Sequence, residues 1–314
     1  MKTALITGAS GYLGSHLAKT LKQSGWKVIG LDLNPTTNTY LDLLHICDVR
    51  DKEELQKFFD RVNIDTVFHL AGRIEVGESV KHPQVFFDHN TTGTNNLLSV
   101  MKHFGVKNIV YSSTAGVYKS NDRPLHECDD VEPMNNPYAA SKYSAELAIR
   151  HSGLNYVIFR YFNLAGGDPD GEMGECHEPE THLIPRILQN LNNFKIYGKD
   201  YDTPDGTCIR DYVHVSDVAE AHLLAADYLS KENPSRIFNL GTGLGYSVQD
   251  IVNLIGKITG ENIAYAYDER RPGDPSFLVA DITFAKEVLT YRPKHDIVSI
   301  IQTAYSWQQK QNDK

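Results

Sequence analysis

The 314-residue chain is poor in residues that would staple or anchor it. Its four cysteines, Cys47, Cys128, Cys176 and Cys208, lie far apart without paired spacing. That excludes a disulfide framework and a zinc ribbon, and reduced thiols in a cytoplasmic protein are the expectation. No apolar run approaches the ~20 residues needed to span a bilayer, so no membrane partner is expected. The chain passes almost at once into an apolar stretch at residues 3–6, which leaves no room for a signal peptide. Cations are scarce: 31 Lys and Arg stand against 40 Asp and Glu, for a net charge of −9. They do not gather into a stripe, which argues against a nucleic-acid partner, since that partner needs clustered cations to release counterions. Internal repeats and low-complexity tracts are also missing.

What remains is 41% hydrophobic and 23% charged, a globular composition. The length suits one nucleotide-binding unit carrying a smaller lobe. The first half alternates short apolar runs with amphipathic stretches, the pattern of an α/β fold with a Rossmann-type doubly wound parallel sheet. Strands are predicted at 3–6, 27–31, 66–70, 108–112 and 156–160, and helices begin near Tyr12, Lys52, Pro83 and Pro137. Residues 85–104 read as one long helix. For that helix and the one after Tyr138 two readings stand: an outward apolar face that pairs two copies into a homodimer, or a face that only covers the sheet. After Asn163 the alternation fails. A loop at 166–179 leads to a helix at 182–192, a short run at 195–198 and a polar stretch to Arg210. A helix at 213–229, a strand at 236–240, a loop at 270–274 and a helix at 297–308 follow. Residues 1–162, with 211–246 returning, form the nucleotide-binding domain; 163–210 and 247–314 form a smaller α/β lobe.

The segment Thr7-Gly8-Ala9-Ser10-Gly11-Tyr12-Leu13-Gly14 follows an apolar strand and opens a helix, the context that separates a dinucleotide site from a chance glycine run. Gly8 permits the tight turn, Gly11 the close approach of a pyrophosphate, and Gly14 the packing of helix on strand. Free N–H groups and the partial positive charge at the helix start favour phosphate. Asp32, after the second strand, is placed to bond the adenosine ribose hydroxyls. Its charge would repel a 2′-phosphate, so NAD is preferred to NADP.

Tyr138 and Lys142 sit one helical turn apart on one face. A free tyrosine titrates near ~10, too high for a general base at neutral pH. A neighbouring ammonium and a cationic nicotinamide would favour the phenolate. Upstream, a strand ends in Ser112-Ser113-Thr114, at the edge where ligands of open α/β sheets bind. Thr114 is the choice for an active hydroxyl; for Ser112 and Ser113, turn capping and a site role weigh evenly.

The glycine pattern, the Tyr138/Lys142 pair and the upstream hydroxyl together resemble the extended short-chain dehydrogenase/reductase family. Stretches 161–163, 180–185, 209–215 and 270–274 look like its UDP-galactose 4-epimerase branch, and the likeness runs nearly end to end. The resemblance implies Tyr138 as base, Lys142 as its support and a ribose ligand, and Thr114 as the hydrogen-bonding hydroxyl. It implies that Tyr12, Leu13, Asp32, Asp48, Val49, Leu70, Ala71, Gly72 and Phe162 line the NAD site. Asn163, Leu183, Tyr197, Arg210, Arg271 and Asp274 would hold the UDP part of a UDP-hexose substrate, where arginine forks suit a diphosphate. Leu278 takes the place that limits the size of the sugar. The implied reaction is redox-neutral: hydride leaves C4′ for the nicotinamide, the 4-keto sugar turns over, and the hydride returns to its other face.

Three departures mark this chain. Arg73-Ile74 stands where the family often has a lysine, His89 stands where an asparagine is expected, and the segment from Asp32 to Asp48 is short. A 4,6-dehydratase needs an acid–base pair after the hydroxyl, but Thr114 is followed by Ala115-Gly116-Val117-Tyr118, with no carboxylate. Epimerisation of another UDP-sugar, a UDP-N-acetylhexosamine or UDP-glucuronate, and a catalytically silent NAD-sensing role stay open beside the favoured reaction. No metal is expected: His177 beside Cys176 and Glu178 lies in an acidic loop without the i, i+4 histidines of a zinc helix.

Overall fold

The computed structural model describes residues 1–132, 136–271 and 273–312; Pro272, inside the expected 270–274 loop, lies outside the described residues. The short apolar runs form a seven-stranded sheet: β1 (Thr3–Thr7), β2 (Lys27–Asp32), β3 (Leu43–Ile46), β4 (Thr66–His69), β5 (Asn108–Thr114), β6 (Asn155–Tyr161) and β7 (Arg236–Leu240). Their order is β7-β6-β5-β4-β1-β2-β3. The β1–β2, β1–β4, β2–β3 and β4–β5 pairs run parallel, so the sheet is doubly wound, with its switch point between β1 and β4. All six strands expected in this sheet are present. The edge strand β3 is additional; four half-exposed residues are too short a run to show a period.

By compactness the chain divides into two units, residues 1–118, 130–160 and 219–238 in the first and 119–129, 161–218 and 239–314 in the second. The first unit's core joins Leu5, Ile29, Val67, Ile109 and Ile158 of the sheet to Phe58, Leu97 and Ile149 of the flanking helices. Helix Tyr12–Gln23 begins at the glycine turn, and Lys52–Phe59 is capped by Asp51, which accepts from the Glu54 N–H. Helix Pro137–Arg150 combines Pro137 at its first position with an Asn136 cap that accepts from the Ala139 N–H. Both features favour a start at that point.

The single helix expected at 85–104 is replaced by three segments: Pro83–Phe87, a π-helical turn Asp88–Thr92, and Gly93–His103. Helical periodicity carries no signal for a wider turn. Its effect is to bring Asn90, not His89, inward. The Asn90 Nδ2 donates to the Arg73 carbonyl and the Ser141 hydroxyl, and its Oδ1 accepts from the Arg73 N–H. His89 is half-buried and bonds its own helix through the Val85 carbonyl. The side chain that turns inward at this turn is therefore that of Asn90.

In the second unit, strand Ile209–His214 pairs with Gly245–Ser247, Phe277–Leu278 and Asn163–Ala165, while Phe194–Tyr197 pairs with Tyr265–Asp268. Helices Leu183–Gln189, Val248–Thr259 and Ile297–Asn312 pack on a separate core that includes Ile187, Ile251 and Ile300. The polar stretch gives way at Ile209, one residue before its expected end at Arg210, to a largely buried strand, and the helix expected from 213 begins at Val215. Asp211 hides the strand in the sequence. It is fully buried, and its carboxylate accepts from the backbone of Thr242, Gly243 and Ala280 and from the Thr242 hydroxyl. A charge so satisfied can lie inside a sheet. Helix Val248–Thr259 is an addition to the expected elements, although Ser247 and Asp250 form a capping box at its start. No helix among the described residues is long and apolar enough to cross a membrane.

One buried ion pair ties the tyrosine helix to the sheet. Glu146 accepts from Nε and Nη2 of Arg160 at 3.1 and 2.8 Å and from the Ser113 hydroxyl. The Arg160 guanidinium lies 4.7 Å from the centre of the Tyr118 ring. Removing one partner leaves the other charge buried and unpaired, which costs about 3–5 kcal/mol. Glu146→Ala is expected to lose stability on that scale, measured as a lower midpoint in urea unfolding; a loss under about 1 kcal/mol would show the pair to be solvated.

Candidate active site

The cradle is built by steric necessity. Gly8 has φ +76°, and a Cβ there would lie 2.8 Å from the Ala71 nitrogen; a Cβ on Gly14 would lie 2.1 Å from the Gly8 carbonyl oxygen. Both glycines are fixed by protein packing. At Gly11 an added Cβ would meet only the Gly8 oxygen, at 3.3 Å. The turn is therefore open on that side, as a pyrophosphate requires. Helix Tyr12–Gln23 has no side-chain cap at its N-terminus and no acid in its first turn. Its partial positive charge is not neutralised locally, so the cradle fits a dinucleotide phosphate.

Around the cradle, Asp32 closes β2 and is held by the N–H groups of Ser10 and Asn34, both at 2.9 Å. Asp48 is gripped by Arg50 through two side-chain nitrogens and the backbone N–H, and this pairing lowers its pKa. Val49 is buried against the position of Gly93. Leu70, Ala71 and Gly72 continue β4, where the Thr7 hydroxyl accepts from the Ala71 N–H at 3.3 Å and Asn90 closes over Gly72. Beneath them His69 bridges Thr7 and Thr94 at 2.7 and 2.9 Å. Burial lowers its pKa to about 3, so it is a neutral tie between strands and helix.

Tyr138, Lys142 and Glu146 share one face of helix Pro137–Arg150. The Tyr138 hydroxyl pairs with Thr114, whose Oγ1 also accepts from the Gly116 N–H at 3.1 Å. Ser113 is no turn cap; it donates to Glu146. Lys142 is 3% exposed, with Nζ 4.6 Å from the centre of the Tyr111 ring and 3.7 Å from where a Cβ on Gly72 would stand. Burial lowers its pKa to about 7, opposed by the negative charge of Glu146.

The pKa of the Tyr138 phenol is drawn upward by the chain itself. Burial raises its pKa in the protein alone; the Thr114 hydrogen bond lowers it and the charge of Glu75 raises it further. Burial likewise destabilises the Lys142 ammonium.

In the second unit, Phe162 is buried and its N–H donates to the Leu240 carbonyl. Asn163 begins a strand, and Leu183 begins a helix and packs on that unit's core. The Arg271 guanidinium stacks 4.3 Å from the Tyr197 ring. A hydrogen bond from Arg186 is the main cause that lowers the Tyr197 pKa. Arg210 is nearly buried and binds Asp274 and the Ile209 and Pro275 carbonyls. Leu278 pairs with Arg210 in register. Arg210, Asp274 and Leu278 thus form one group, and Tyr197 with Arg271 another.

Sequence reasoning passes over Asn90, Ser141 and Glu146. Ser141 and Glu146 lie on the same helix as the Tyr/Lys pair, and the 138, 142, 146 spacing of three polar groups on a half-buried helix is a usable signal. Asn90 has none, because the π-turn shifts its phase.

A glycine cradle on a doubly wound sheet, with a tyrosine, a lysine and a hydroxyl converging at the carboxyl end of β5, defines a Rossmann-type dinucleotide-dependent enzyme. The chain belongs to the NAD dependent epimerase/dehydratase family, whose sequence model matches residues 4–241. It is 41% identical to the UDP-glucose 4-epimerase of Lacticaseibacillus casei over 97% of this chain and 96% of that one. Among solved structures, it is similar to the UDP-glucose 4-epimerase of Bifidobacterium longum in complex with NAD+ and UDP. The TM-score is 0.93 and the identity 34%, with 99% of each chain covered. It is also similar to the UDP-Glc/GlcNAc 4-epimerase of Campylobacter jejuni, with TM-score 0.84 and 32% identity over 99% of this chain and 100% of that one.

The depressed Lys142 pKa has a consequence for stability. The folded, nucleotide-free protein releases that proton near pH 7, and the unfolded chain near 10.5. Between these values the unfolded state binds more protons, so stability rises with pH; below pH 7 both states are protonated and the burial cost is carried in full. The stability of the wild type relative to Lys142→Met is expected to climb between pH 7 and 9 in denaturant titrations of nucleotide-free protein. A flat difference would mean that Lys142 keeps its proton.

Proposed function

We propose that this chain is an NAD-dependent UDP-glucose 4-epimerase that interconverts UDP-glucose and UDP-galactose through a 4-keto sugar. The observation that carries the reading is the Tyr138 hydroxyl, paired with Thr114 at the end of β5 and one turn from Lys142. The relatives named above support the substrate. Bound NAD+ supplies the hydride acceptor and donor and a positive nicotinamide ring. The cradle amides hold the pyrophosphate, and Asp32 takes the adenosine ribose hydroxyls and repels a 2′-phosphate. Tyr138 removes the proton from the sugar 4′-hydroxyl and later returns it. Thr114 donates to the Tyr138 phenolate, which lowers the cost of holding the base deprotonated before it takes the proton. Lys142, one turn further along the helix, would bond the nicotinamide ribose and bring its charge to the same side as Tyr138.

Arg210 and Arg271 receive the diphosphate. Arg210 is oriented in advance by Asp274, and Tyr197 by its two arginine neighbours. Holding UDP firmly while leaving the sugar free to turn devotes remote binding energy to both half-reactions. No carboxylate follows Thr114, and Ala115 and Val117 are buried, which disfavours dehydration. Removal of the general base is worth ~10²–10⁴ in rate. Tyr138→Phe is expected to lose turnover on that scale while keeping NAD and UDP binding by calorimetry. Purified wild type given UDP-galactose without added NAD should form UDP-glucose. Near-normal turnover by the variant, or none by the wild type with NAD supplied, would overturn the assignment.

Leu278, intermediate in size, supports acceptance of UDP-N-acetylhexosamines as well, in line with the similarity to an enzyme that carries both sugars in its name. The kcat/KM ratio for plain and N-acetylated substrates checks this, and a very large preference for the plain sugar would end it. We further infer a homodimer. Val80, Val85, Phe87 and Leu147 are each more than a third exposed on the helices flanking the π-turn and the tyrosine helix. Such an apolar surface is unusual on a monomer. Sedimentation should show a dimer that Phe87→Asp with Leu147→Asp splits; a wild-type monomer at micromolar concentration would refute it.

A further inference from the structure

Outside the residues already given roles, the second unit gathers Glu175, His177, Glu180 and His182. Each offers one ligand atom, and these atoms all lie within 4.8 Å of one another. The sequence expectation of no metal weighs His177 with Cys176 and Glu178 and looks for helical spacing. The fold selects a different set, in which both imidazoles turn Nδ1 toward Glu175: His182 in direct contact and His177 at 3.2 Å. Glu175 is anchored from behind, where the Trp307 indole N–H donates to its carbonyl at 3.0 Å.

A second observation points to a ligand. The Glu180 side chain is 4% exposed. Its Oε1 accepts from the N–H groups of Thr181 and His182, at 2.7 and 2.8 Å. Its Oε2 is buried without a hydrogen-bond partner and lies 3.8 Å from Nδ1 of His177. Two carboxylates sunk this deeply need positive charge, which protonated His177 and His182 supply in the ion-free cluster and a divalent ion would take over as it displaces their protons. A polar cavity of about 360 Å³ lined by His177, Glu180, Gln189 and Asn190 opens beside the cluster and gives an ion a way in.

We propose that Glu175, His177, Glu180 and His182 form a binding site for a divalent transition-metal ion of the Zn²⁺ type. Two imidazole nitrogens select against Mg²⁺ and Ca²⁺, which take oxygen, and two carboxylates select against soft, thiolate-seeking ions. A tetrahedral shell with bonds of ~2.0–2.2 Å spaces its ligands roughly 3.3–3.6 Å apart. The present spacing, within 4.8 Å, is wider than that by little more than 1 Å. The ion neutralises both buried carboxylates and clasps the loop that enters helix Leu183–Gln189. Its role is structural and takes no part in the proton or hydride steps, so it stands independently of the proposed activity.

The test uses tag-free, chelator-treated full-length protein and the metal alone. Calorimetry is expected to show one Zn²⁺ per chain with Kd of ~10 μM or tighter, and saturating Zn²⁺ should raise Tm by roughly 3–6 °C. Co²⁺ should give the strong visible absorption of a tetrahedral ion. Glu180→Gln is expected to weaken binding at least tenfold and His177→Ala with His182→Ala to abolish it. Wild-type Co²⁺ spectra need no variant to fold. Absent or substoichiometric binding, a six-coordinate cobalt spectrum, or equal affinity in the variants would overturn the site and leave a carboxylate–imidazole hydrogen-bond cluster only.

Discussion

The first unit's chemistry depends on one buried carboxylate. Glu146 accepts from Ser113 on β5 and Arg160 on β6, so it nails the middle of the tyrosine helix to two strands at once. Within two turns toward the helix start, Tyr138 and Lys142 inherit their placement from that joint. Arg160 in turn lies under the Tyr118 ring, just beyond the hydroxyl strand and its short 3₁₀ turn. A base and its hydrogen-bonding partner must be held to within a fraction of an ångström. Here the rigidity comes from an ion pair that solvent cannot reach rather than from the reacting groups.

The same burial makes the site costly when empty. Tyr138 is held toward its neutral form and Lys142 loses much of its affinity for a proton. Neither group alone is ready for proton abstraction at neutral pH. The arrangement is complete only with a cation beside the phenol, which the cofactor of this family brings. An enzyme so built keeps its base quiet until the redox partner is in place.

The architecture of the first unit is legible in the sequence because its strands are short, largely apolar and bounded by glycine, proline or capping residues. Asn136-Pro137 and the glycine turn mark helix starts to the residue. The second unit is less so. Strand Ile209–His214 carries Arg210, Asp211 and His214, and only the distant groups that satisfy Asp211 make it a strand. The candidate site follows the same division: cradle, Tyr138, Lys142 and Thr114 rest on local spacing, whereas the support by Asn90 and Glu146 rests on contacts made across the fold. The histidine–glutamate cluster is hidden for a related reason, since four ligands from a loop meet without any period.

The π-turn at Asp88–Thr92 bears on how relatives of this chain are compared. A turn of this kind holds one residue more than its α-helical counterpart. A column-by-column comparison of sequences does not register that extra residue. Which of His89 and Asn90 turns inward is decided by the turn, and here it is Asn90.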